Sequence, residues 1–98
     1  MKINVATIQF EPAQFRKDEN VTRLLQLASQ SARDGAQLIV MPEMATTGYC
    51  WQDRAEVAPY VETADGETSQ AFTAIAREYH CYLVFGMPER DPVTDIYY

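Results

Sequence analysis

Among the side chains in this sequence that could do chemistry, one carboxylate stands apart. Glu43 lies one proline beyond an apolar run, in Leu38-Ile39-Val40-Met41-Pro42-Glu43-Met44-Ala45-Thr46-Thr47-Gly48-Tyr49. A carboxylate at the end of a buried strand, its pKa raised by burial, can take a proton from a weak nucleophile and later return it to a leaving group. The bland reading of an isolated Pro-Glu is a solvated loop acid or a helix-capping carboxylate. The other reactive groups carry weaker signals. Cys50 is near Glu43 in the chain, but a free cysteine behaves chiefly as a small buried hydrophobe. His80 and Cys81 are adjacent, and neighbours on a helix or strand point different ways, so no Cys-His dyad is expected and His80 reads as a helix-terminal residue. The two cysteines show no CxxC or metal-type spacing and are expected to be reduced thiols. Glu56, Glu62, Asp65 and Glu67 have no metal-loop spacing and read as a solvated acidic face, so neither a metal nor a cofactor is expected. Trp51 fits either a pocket wall or an oligomer contact. Gly48 reads as a backbone position needing positive φ or close approach.

The elements that must hold Glu43 follow from apolar periodicity. Residues 3–10 form a nearly continuous apolar, β-branched run, which predicts a strand covered on both faces and ended by Glu11-Pro12. Val21, Leu24, Leu25, Ala28 and Ala32 keep helical spacing over residues 18–32, with Asp18 as the expected N-cap and Gly35 placed to end the helix. Residues 37–41 give a second apolar strand, and Pro42 cannot donate a ladder hydrogen bond, so pairing should fade there. Strand, helix and strand in this order predict a right-handed crossover between parallel strands, with ligands bound beyond their carboxyl ends. Glu43 is placed at such an end. Residues 49–64 read as a pocket-shaping loop with a short helix near 54–57. A second long helix should start near Thr68 or Ser69 and bury Phe72, Ile75, Ala76 and Tyr79. Residues 82–87 form a third strand, and Ile96-Tyr97-Tyr98 begin a fourth after a turn through Asp91-Pro92. The fold class is therefore α/β, as β-α-β followed by α-β.

Composition narrows the function classes. A chain of 98 residues, 47% hydrophobic and 22% charged, is long enough for one small domain or part of a larger one. A net charge of −6, with Lys and Arg scattered and only Arg16 and Lys17 adjacent, leaves no basic stripe for a phosphate backbone, and nucleic acid is excluded as an expected partner. No apolar stretch is long enough to span a membrane or to serve as a signal peptide, and a cytoplasmic protein is expected. Three parallel strands with two helices leave sheet edges and a face without an evident cover, so the chain is expected to be incomplete.

The segment Met41-Pro42-Glu43-Met44-Ala45-Thr46-Thr47-Gly48-Tyr49 resembles the first catalytic motif of the carbon-nitrogen hydrolase (nitrilase) superfamily, and Leu83-Val84-Phe85-Gly86-Met87-Pro88-Glu89 is similar to that family's third strand. The resemblance covers the whole chain but only one catalytic motif. It implies the N-terminal part of a single hydrolase domain with an α-β-β-α sandwich, spanning residues 1–98. It also implies a Glu-Lys-Cys triad that cleaves a non-peptide carbon-nitrogen bond of a small amide, carbamoyl or nitrile substrate through a covalent cysteine intermediate. Glu43 matches the triad's glutamate. The Lys and Cys motifs have no counterpart here, so the chain alone is expected to be inactive. Tyr49 matches a position that lines the substrate pocket in several relatives, against plain packing as the other reading. A homodimer or larger homo-oligomer is implied for the full-length enzyme. The competing readings are a small non-catalytic α/β binding module, and a fragment that needs a second polypeptide for activity.

Overall fold

The computed structural model describes all 98 residues. Three short strands, β1 (Val5–Thr7), β2 (Leu38–Val40) and β3 (Tyr82–Val84), form one parallel sheet in the order β1-β2-β3. Helix α1 (Lys17–Arg33) connects the first two strands; α2 (Arg54–Val57), a 3₁₀ turn (Ala58–Tyr60) and α3 (Glu67–Tyr79) lie between the second and third. The register aligns Ala6, Ile39 and Leu83 in one row, flanked by the rows Val5-Leu38-Tyr82 and Thr7-Val40-Val84.

Because side chains alternate across a pleated sheet, one row turns to one face and its two neighbours to the other. Ile39 is fully buried, and Ala6 and Leu83 pack beside it against Leu24 and Ala28 of α1 and Phe72 and Ile75 of α3. The Phe72 and Phe85 rings meet at 4.5 Å between centroids. Both long helices therefore cover the same face. The expectation that the first strand is covered on both sides is corrected: Val5 is 52% exposed, Val84 52% and Tyr82 77%. The apolar run marks a strand suited to burial on both faces, but these residues supply a helix layer for only one.

Helix boundaries follow local chemistry. At its C-terminus α1 closes in a Schellman arrangement, with Gly35 at φ +98°, its N–H donating to the Ala32 carbonyl and the Ala36 N–H to the Ser31 carbonyl. Asp18 is not the N-cap. The helix begins at Lys17 with Arg16 at the cap and no side-chain cap bond, and Asp18 and Glu19 fall in the first turn, where they favour the positive end of the helix dipole. Helix α3 starts at Glu67, one residue earlier than the spacing implied, and ends at His80 in the left-handed conformation with its N–H on the Ala76 carbonyl. The helix-terminal reading of His80 holds. The short helix expected near 54–57 is α2, capped by the Asp53 carboxylate, which accepts from the Glu56 N–H at 2.9 Å.

Beyond β3 the chain continues the ladder in single bridges. Glu62 pairs in parallel with Glu89, and Arg90 pairs antiparallel with Tyr97. The expected fourth strand at 96–98 is thus one bridge of a tight hairpin, joined by mutual Glu89–Tyr98 backbone hydrogen bonds of 3.0 and 2.8 Å. The Asp91 carboxylate closes the turn by accepting from the Val93 and Thr94 N–H groups, and those bonds hold its pKa below the usual carboxylate range.

Candidate active site

The Glu43 turn is built from backbone contacts. The ladder persists one residue past β2, where the Met41 N–H donates to the Val84 carbonyl at 2.8 Å, and then Pro42 ends it. The chain reverses at Met44, a non-glycine residue at φ +48°, a conformation that concentrates at functional sites because the surroundings must enforce it. The N–H groups of Thr47 and Gly48 both donate to the Met44 carbonyl, at 3.2 and 2.9 Å. Gly48 sits at φ +74°, as its expected role required. Ala45, Thr46, Thr47 and Gly48 are buried, whereas Glu43 and Tyr49 at the two ends are exposed.

Two residues that sequence reasoning missed hold this turn. Gly86, just past β3, gives its carbonyl to the Ala45 N–H at 3.0 Å and its own N–H to the Pro42 carbonyl at 3.3 Å. A Cβ at Gly86 would lie 2.5 Å from the Met44 nitrogen and 2.9 Å from the Glu43 Cα. Asn20, 3% exposed on α1, reaches the other side. Its amide donates to the carbonyls of Ala13 at 2.8 Å and Thr46 at 3.0 Å, and its oxygen accepts the Ala13 N–H at 2.9 Å. The Phe15 N–H adds a bond to the Thr47 carbonyl at 3.3 Å. Both signals were present in the sequence. Asn20 stands four residues before Leu24 in the buried stripe that continues through Ala28 and Ala32, and Gly86 interrupts an apolar strand run where a close backbone approach is the usual reason.

The expected burial of the Glu43 carboxylate is corrected. Its side chain is exposed, because the turn buries the peptides and small side chains on one side while Glu43 projects from the other. Glu62 departs from expectation in the opposite direction. It is not part of a solvated acidic face: its carboxylate is 2.7 Å from Lys17 Nζ, with both side chains largely buried, and it accepts from the backbone N–H of Thr68 at 2.9 Å and from the Thr68 hydroxyl. Burial pushes the Glu62 carboxyl up, but the hydrogen bonds from Lys17 and Thr68 outweigh it and leave the pKa below the ordinary carboxylate value. Lys17 also donates to the Tyr60 carbonyl at 3.2 Å, so this pair ties the 49–64 segment to the starts of α1 and α3.

Trp51 packs with Phe15 and Tyr60, at centroid distances of 5.0 and 5.8 Å, forming an aromatic cluster within the chain. Cys50 is exposed and Cys81 is buried at the foot of β3, apart from each other and from any dyad with His80. No three His, Cys, Asp or Glu side chains converge as metal ligands, and no helix is long and apolar enough to cross a membrane. Glu43 is an exposed carboxylate just past the carboxyl end of β2.

That arrangement coincides with a family match. Residues 4–98 match the Carbon-nitrogen hydrolase family. The chain belongs to that family. It is 33% identical over 90 residues to a nitrilase of Pyrococcus abyssi, covering 91% of this chain and 34% of that protein. It is 31% identical over 87 residues to a protein N-terminal amidase of Schizosaccharomyces pombe, covering 84% of this chain and 30% of the relative. Among solved structures, an N-terminal amidase with a Gln-Gly peptide superposes with a TM-score of 0.83 at 27% identity, over 98% of this chain and 23% of that one. The chain thus spans about a third or less of these carbon-nitrogen hydrolases, and its layer of two helices on a parallel sheet is part of the nitrilase-superfamily fold.

Proposed function

We propose that residues 1–98 are the N-terminal part of a single carbon-nitrogen hydrolase domain, with Glu43 as general base in the cleavage of a small amide, carbamoyl or nitrile group. The observation that carries this reading is the Glu43 turn itself: an exposed carboxylate beyond the carboxyl ends of parallel strands, on a backbone fixed by Met44, Gly86 and Asn20. The nucleophile is a cysteine outside these residues. Glu43 takes the thiol proton as sulfur bonds to the substrate carbon, a lysine also outside them stabilises the developing oxyanion, and protonated Glu43 then gives its proton to the departing amine. Water, deprotonated by Glu43, releases the acid from the resulting thioester. A nitrile instead adds the thiol across its carbon-nitrogen triple bond to give a thioimidate, one water then expels ammonia to leave the same thioester, and a second water releases the acid. These residues alone then have no turnover, because the attacking cysteine and the oxyanion-stabilising lysine lie outside them.

Supporting the domain assignment, the open sheet face is apolar at Val5, Tyr82 and Val84, as suits a sheet packed on a second layer. Tyr49, exposed beside the turn, is assigned to the substrate pocket, and a homo-oligomer of the intact cytoplasmic enzyme follows from the same family reading. The structural relatives crystallised with Gln-Gly and Asn-Glu peptides keep amide-type substrates first among the candidates. The test is steady-state turnover of Glu43→Gln in the intact enzyme. A folded variant with less than a tenth of wild-type turnover supports the assignment, and more than that removes Glu43 from the mechanism.

A further inference from the structure

We infer that Gly86 is a positioning residue for Glu43, fixing the height of its carboxylate above the strand ends through a backbone contact that admits no side chain. The inference rests on the reading of Glu43 as the base. Unlike Gly35 and Gly48, Gly86 does not lie at positive φ, so its backbone conformation is open to any residue and the need for glycine is one of space. The three nearest atoms all belong to the Glu43–Met44 peptide: a Cβ would meet the Met44 nitrogen at 2.5 Å, the Glu43 Cα at 2.9 Å and the Glu43 carbonyl carbon at 3.1 Å. All three are backbone atoms, so no flexible side chain can swing away to make room. At Gly48, by contrast, the nearest atom is the end of the Gln14 side chain.

The turn has little slack to absorb the clash. Met44 is already left-handed, and the two Gly86 hydrogen bonds, to Pro42 and from Ala45, clamp the peptides on both sides of Glu43. Restoring ordinary van der Waals distance to the Met44 nitrogen requires a retreat of about 1 Å, and a displacement of that size at a catalytic group lowers rate about 100-fold. Substrate contacts made elsewhere are untouched, so the loss should fall on kcat.

The experiment is a double-mutant cycle of Gly86→Ala and Glu43→Gln in the intact enzyme, with single-turnover rates and circular dichroism for each protein. The expected result is a kcat about 100-fold down in Gly86→Ala, with KM within about threefold, and no further loss when Gly86→Ala is added to Glu43→Gln. Loss of equal size in both backgrounds would overturn the inference, since a purely structural role acts whether or not Glu43 is present. Unchanged kcat in Gly86→Ala would overturn it also. Failure of the base reading shows separately, as full turnover in Glu43→Gln alone. If Gly86→Ala does not fold, Met44→Gly carries the test, because it frees the same turn without a clash: a kcat reduced at unchanged thermal stability is expected, and a wild-type kcat refutes the clamp.

Discussion

Asn20→Ala is the sharpest structural perturbation of the site that leaves every reactive group in place. The amide satisfies three backbone groups, the Ala13 N–H, the Ala13 carbonyl and the Thr46 carbonyl, at 2.8–3.0 Å in a position 3% exposed. Each hydrogen bond contributes about 1 kcal/mol net, and a buried group left unsatisfied costs about 1–3 kcal/mol, so a total near 3 kcal/mol is expected. With a urea dependence of about 2 kcal/mol per molar, the midpoint should fall by about 1.5 M. Urea unfolding of the intact protein, followed by far-UV circular dichroism, measures this directly. Asn20→Asp sharpens the result, since it keeps the acceptor for Ala13 but sets a carboxylate against two carbonyl oxygens. Its folded pKa should be raised, so its deficit should shrink as pH falls. A loss below about 1 kcal/mol for Asn20→Ala would refute the claim that this amide ties α1 to the Glu43 turn.

Two further expectations concern groups away from the turn. Glu62 has a lowered folded pKa, so its stabilising contribution is full above the unfolded carboxylate pKa, about 4.3, and is lost as pH falls through the folded value; Glu62→Gln should lower stability at pH 7 and flatten its acid dependence, and an unchanged acid midpoint would contradict the Lys17–Glu62–Thr68 arrangement. Cys50 is exposed and paired with no histidine or lysine, so Cys50→Ser in the intact enzyme should keep turnover within about twofold, while loss of turnover would place the nucleophile in this chain.

Much of the fold could be read from local chemistry. The α1 stripe, the Gly35 stop, the short helix over 54–57 and the three strands each follow from spacing and turn residues that act over a few positions. Two misplacements share a cause. The exposure of β1 and the burial of Glu62 are set by what packs against them across the fold: the helix layer lies on one face only, and Lys17 reaches Glu62 across 44 intervening residues of chain. Periodicity reports how a segment is suited to burial, and only tertiary contact decides which face meets a neighbour. The candidate site divides the same way. The place of Glu43 just past β2 and the positive φ of Gly48 were legible because element order and backbone chemistry are local. The supports Asn20 and Gly86 act at long range, and their sequence signals, a polar residue in a buried stripe and a glycine in a strand, each admit several causes.

Activation of a thiol by Glu43 is measured as the single-turnover rate of cysteine acylation in Glu43→Gln compared with wild type, in the intact enzyme with a small amide substrate. The amide side chain is nearly isosteric with the carboxylate but cannot accept the proton, so acylation should slow by about 10²- to 10⁴-fold while circular dichroism and thermal stability stay unchanged. Acylation at more than a tenth of the wild-type rate would show that Glu43 is not the base that activates the thiol.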